Sequence, residues 1–135
     1  MLGFALQQIC PPRKHRKMEL TEEHWVAHAY QKAFALTTFA LIQAFGHVAH
    51  EGPGDPAPRE SILQKLIHQV GEARQSFEEQ VPEDFRKRCV APFETLQDIL
   101  RVLVVAHPGA TAGELTEEMR DLTVLLRAMQ PRSGE

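Results

Sequence analysis

An all-α fold, specifically an antiparallel up-down four-helix bundle with a long central first helix and a kinked third, is predicted by three features of this 135-residue chain. Apolar residues recur at three- and four-residue steps through four long segments. No segment alternates with the period of two that a half-buried strand requires. Proline and glycine clusters separate the segments by short connections, which make successive helices antiparallel neighbours.

The first 19 residues stand apart. An apolar opening, Leu2 to Leu6, leads into Cys10-Pro11-Pro12 and then the basic run Arg13, Lys14, His15, Arg16, Lys17. Adjacent prolines forbid a continuous helix and like charges prefer solvent, so residues 1–19 read as a flexible arm. A helix start follows Met18 at once. The bundle domain is expected over 20–131, with a frayed tail at 132–135.

Helix 1 begins at Thr21, an N-cap followed by Glu22 and Glu23 where the helix dipole favours negative charge. It runs to the breaker Glu51-Gly52-Pro53-Gly54, nearly thirty residues and roughly 43 Å at 1.5 Å per residue. Apolar side chains cover most of its circumference between Ala33 and Val48, which predicts a central helix surrounded by the others. The same stretch carries Gln43 and His47 and is short for a membrane span, so it reads as core.

Helix 2 starts near Pro58, a residue suited to a first helical turn, and ends about Gln80. Ile62, Leu63, Leu66, Ile67, Val70, Ala73 and Phe77 give it one apolar stripe. Helix 3 begins after Pro82, and Pro92 falls inside its apolar pattern. The expectation is a short helix at 83–90, a kink or break, and a helix to about His107. Thr111 and Glu114 match a capping box, so helix 4 starts there and carries Leu115, Met119, Leu122, Leu125, Leu126 and Met129 before Pro131.

Composition limits the function classes. With 43% hydrophobic and 24% charged residues and a net charge of -3, the chain matches neither a disordered nor a strongly nucleic-acid-seeking protein. Its 2 cysteines, Cys10 and Cys89, are too few for a disulfide framework and suit a reducing cytoplasm. Phosphate-cradling glycine loops, nucleophile elbows and zinc-protease helices are absent from the sequence, so no catalytic constellation is assigned.

The 7 histidines are the most suggestive feature. His24 and His28 share one helix face, and His47, His50 and Glu51 share another near the far end. In up-down order the connections after helices 1 and 3 meet at one end, so His107, with Glu60 and Glu114 nearby, joins the second group. The candidate metal set is therefore His47, His50, Glu51 and His107, binding zinc or another divalent ion. Residues 28 and 47 lie about 28 Å apart along a helix, too far to share an ion within one chain.

Arg101 and His107, with five residues between them, resemble the Arg and His pair of the metal-independent RNases of the HEPN superfamily. That resemblance implies a cation holding phosphate at Arg101 and an imidazole moving a proton at His107. Val102 departs from it, standing where those enzymes often have a polar residue. Arg13, Lys14, Arg16 and Lys17 supply a possible phosphate-contacting arm without interleaved aromatics for base stacking.

Helix 1 also bears the aromatic residues Trp25, Tyr30, Phe34, Phe39 and Phe45. Their first assignment is core packing. Any part that four helices leave uncovered becomes an interface, with Trp25, Tyr30, Phe34 and Phe39 as its candidate residues. The leading expectation is thus a cytoplasmic adaptor or assembly subunit that binds a protein partner or self-associates, without a cofactor and without a membrane. A metal-binding bundle and a HEPN-like RNase or nucleic-acid accessory protein are the alternatives.

Overall fold

The computed structural model describes residues 20–52, 54, 57–106 and 111–131. They form four helices in chain order: α1 (Glu22–Glu51), α2 (Ala57–Gln80), α3 (Glu83–Ala106) and α4 (Ala112–Met129). With 91% of the described residues helical and no strand among them, the all-α class is established, and the helix contacts fit a four-helix bundle. The expected arm at 1–19 and tail at 132–135 lie outside the described residues.

Local chemistry sets the helix limits. The Thr21 hydroxyl accepts from the His24 amide and starts α1. At the other end Gly52 takes a φ of 87°, a left-handed conformation that glycine alone adopts without strain, and its amide closes on the Val48 carbonyl. Thr111 and Glu114 form the full capping box at the head of α4, each side chain satisfying the other's backbone amide.

Two polar clasps fix the up-down order. Near the start of α2, Arg59 reaches Glu118 of α4 at 3.1 Å and the Leu103 carbonyl near the end of α3 at 3.1 Å. At the opposite end Arg88, early in α3, pairs with Glu22 and Glu23 in the first turn of α1 at 3.1 and 3.0 Å. The starts of α1 and α3 therefore share one end of the bundle, and those of α2 and α4 the other. A third bridge, Arg74 to Gln97 and Glu94, ties the middles of α2 and α3.

α1 packs against all three other helices and α2 packs along α3, while α4 leans chiefly on α1 and touches α2 and α3 lightly. The core comprises Ala29, Tyr30, Ala33 and Leu36 of α1, Leu63, Leu66 and Val70 of α2, Phe93, Leu96 and Leu100 of α3, and Leu115, Met119 and Leu126 of α4. The buried Thr37 hydroxyl is satisfied within its own helix, donating toward the Ala33 and Phe34 carbonyls at 3.2 and 3.1 Å.

The structure corrects two details of the sequence reading. α3 is a single helix from Glu83 to Ala106 with Pro92 inside it, so the separation into 83–90 and a second helix does not occur. Cys89, Phe93, Leu96 and Leu100 on the same stripe are fully buried, and keeping that stripe continuous outweighs the one backbone bond that proline removes. Second, α1 is central in its contacts but, among the described residues, not surrounded: three helices occupy one arc of it, and the opposite arc carries exposed side chains.

Candidate functional site

On α1 the buried residues Val26, Ala29, Tyr30, Ala33, Leu36, Thr37, Ala40 and Ala44 mark the arc that seats the other helices. At about 100° per residue, the opposite arc in the C-terminal half holds Ala35, Thr38, Phe39, Ile42, Phe45 and Ala49. All six are exposed, and the three large ones expose 55% (Phe39), 59% (Ile42) and 55% (Phe45) of their surface. Burying a large aromatic removes roughly 150 to 250 Å² from water, so each phenylalanine leaves on the order of 100 Å² outside. Single exposed apolar residues are ordinary. Three large ones a helical turn apart on one face form a patch.

Of the residues expected at an interface, only Phe39 belongs to this patch. Trp25 is half-buried with its ring edge-on to Phe77, the centroids 6.4 Å apart. Tyr30 is buried, and Phe34 lies under the Arg127 guanidinium of α4, 5.8 Å from its ring centre. Those three aromatics point toward α2, α3 and α4 and serve the bundle's own packing. Ile42 and Phe45 take their place on the open face. The signal for them was the angular position relative to the buried arc, which requires knowing where the other helices sit.

Beside the patch, α1 and α2 enclose a depression of 420 Å³ lined by Gln43, Gly46, His47, His50, Glu51, Ser61, Ile62 and Lys65. The expected metal residues His47, His50 and Glu51 do meet here. Within the group, however, Glu51 is engaged by the His47 ring nitrogen Nδ1 at 3.1 Å. No three His, Cys, Asp or Glu side chains converge for a metal ion among the described residues, and His107 lies outside them. Glu60 and Glu114 are exposed. At the other end His24 and His28 border a separate 250 Å³ surface depression with Leu20, Ala27 and Gln31, and the His24 ring is hydrogen-bonded to Thr21.

Only one member of the pair carried by the HEPN resemblance falls among the described residues. Arg101 is exposed with Asp98 at 3.5 Å as its partner, and His107 lies outside the described residues. Arg13, Lys14, Arg16 and Lys17 lie outside them as well. Cys89 is fully buried, and desolvation, then the nearby Glu22 charge, pushes its thiol above the ordinary range, so it is protonated and inert at neutral pH.

α1 is also the one helix among the described residues long and apolar enough to cross a membrane by length and composition. In this structure its buried arc is the seat of α2, α3 and α4, which accounts for part of that apolarity. The apolar patch on the open arc accounts for the rest. No protein-family model, curated protein or solved structure matches the chain.

Proposed function

We propose that the protein acts by protein–protein association, as an adaptor or assembly subunit, with the C-terminal half of α1 as its contact surface. The observation that carries this reading is the exposed row Phe39, Ile42 and Phe45 on a helix whose other side is the hub of the fold. A helix that is apolar all round belongs in an interior, and a partner on the open arc supplies the missing wall. Two cysteines, one fully buried, suit a reducing cytoplasmic setting.

The test compares wild type with Ile42→Glu, which places a charge at the centre of the patch. Ile42 is more than half exposed, so the variant should fold and melt as the wild-type monomer does. Native-level co-purification with mass spectrometry, together with light scattering on the purified chain, should show a stoichiometric complex or oligomer for wild type that Ile42→Glu loses. A wild-type chain that is strictly monomeric and partnerless refutes the reading.

A further inference from the structure

The open face of α1 is self-complementary, and we infer that its occupant is a second copy of the chain, packed antiparallel across a two-fold axis at Ile42. This rests on the association reading above and names the partner. The face consists of positions 35, 38, 39, 42, 45, 46 and 49, and at about 100° per residue Phe39 and Gly46 fall on one side of Ile42 and Thr38 and Phe45 on the other. Small residues sit at the outer positions (Ala35, Ala49) and at the inner notches (Thr38, Gly46). Large ones stand at Phe39 and Phe45. In an isologous antiparallel dimer each residue n places before the axis lies level with the partner's residue n places after it, and residue i meets j as j meets i, so a bulky group and a notch on the same side of the face serve both copies at once.

The register places bulk against space. On helices of 3.6 residues per turn, Phe39 falls beside the partner's Gly46 and on the same side of the helix pair, while Phe45 falls beside the partner's Thr38. Ala35 falls level with the partner's Ala49, where two methyl groups let the backbones approach. Phe39 therefore enters the notch at Gly46, where nothing lies within 4 Å of the position a Cβ would occupy. The notch opens into the 420 Å³ depression between α1 and α2, roomier than a single phenyl ring.

Gly46 itself is the second observation. Glycine inside a helix costs about 0.5 to 1 kcal/mol relative to alanine. Among the described residues nothing repays that cost, since no neighbour crowds the site and its φ is not positive. A partner's aromatic ring seated there supplies the reason for a missing side chain. The area is sufficient at the lower limit: the face exposes on the order of 500 Å² per copy, so a pair buries about 1,000 Å², the threshold of a specific interface. The dimer also completes the central position of α1, closing its open arc with the partner's α1.

The experiment uses the full chain with Cys10→Ser, so that new cysteines report alone. Sedimentation should show a dimer. Under mild oxidation Ile42→Cys, at the axis, should cross-link efficiently. Ala35→Cys alone should not, because its copies are about 21 Å apart along the antiparallel pair, whereas Ala35→Cys with Ala49→Cys should. Gly46→Leu should weaken dimerisation about 10- to 100-fold by filling both notches, with the monomer's helical circular dichroism retained. Gly46→Ala, which cannot disturb the fold, should weaken it less while raising the melting temperature of the monomer.

A monomer at about 100 μM overturns the inference. If that monomer holds a different protein that Ile42→Glu releases, the association reading stands and the second copy fails. A dimer that cross-links through Ala35→Cys alone, or that tolerates Gly46→Leu, overturns the antiparallel register. Flotation of wild type, but not Ile42→Glu, with phosphatidylcholine and phosphatidylglycerol vesicles overturns it in favour of lipid.

Discussion

Removing the carboxylate of Glu118 should destabilise the bundle by about 3 kcal/mol, the lower part of the range for breaking a buried ion pair. Arg59 is 5% exposed and Glu118 19%. The guanidinium holds both carboxylate oxygens, at 3.1 Å each, and the Leu103 carbonyl at 3.1 Å. In Glu118→Ala a buried positive charge keeps only the carbonyl, and its desolvation goes uncompensated. The partial exposure of Glu118 admits some water to the cavity, which holds the loss below the top of the range. For a bundle of this size 3 kcal/mol corresponds to roughly 10 to 15 °C in melting temperature. Urea unfolding by circular dichroism reads the change, with a double-mutant cycle through Arg59→Met and Glu118→Met. The double replacement should return to within about 1 kcal/mol of wild type, because the pair's attraction and its desolvation nearly cancel. A loss below about 1 kcal/mol for Glu118→Ala, or a double variant as unstable as the summed singles, would refute the clasp as a buried, mutually dependent pair.

Thr111→Ala removes half of the capping box at the head of α4 and should cost about 1 kcal/mol, read as a lower urea midpoint with an unchanged slope. Burial disfavours the ionised forms of both Cys89 and Tyr30 and raises their pKa, so the folded chain binds more protons than the unfolded one in alkaline solution. Their contribution to stability is complete below the unfolded thiol value of about 8.5 and declines as pH rises beyond it, so the melting temperature should fall with increasing pH there. Cys89→Val should flatten the first part of that decline; a wild-type melting temperature constant from pH 8 to 10 refutes the assignment.

The helix limits were legible because their causes are local. Thr21, Gly52 and the Thr111–Glu114 pair each act within four residues of the end they define. Pro92 marks the limit of a local rule: it allows a break there, whereas α3 runs through it as one helix, an outcome that depends on the buried stripe from Cys89 to Leu100, which only the packed core makes worth preserving. The clasps were invisible. Arg59 and Glu118 lie 59 residues apart, and nothing in either neighbourhood marks the arginine as buried. At the histidine end His47, His50 and Glu51 border one depression, while His107 lies outside the described residues. The hydrogen bond between His47 and Glu51 is an i,i+4 contact that their spacing allows and that the rotamers complete.

The hardest feature to extract from sequence was which side of α1 faces inward, and the reason is a matter of size. Apolar periodicity counts an alanine and a phenylalanine alike. In the structure the inward arc is built largely from small residues, Ala29, Ala33, Thr37, Ala40 and Ala44, because three helices converge there and small side chains let their axes approach. Phe39, Ile42 and Phe45 are too bulky for that crowded arc and stand on the other side. Among the described residues nothing packs against that bulk, and polar side chains there would hold the helix equally well. Large apolar groups on an open face gain free energy only when something covers them, at about 25 cal/mol for each Å² removed from water. The inward arc, mostly small apart from Val26, Tyr30 and Leu36, and the bulk exposed at Phe39, Ile42 and Phe45 are what the proposed contact surface rests on.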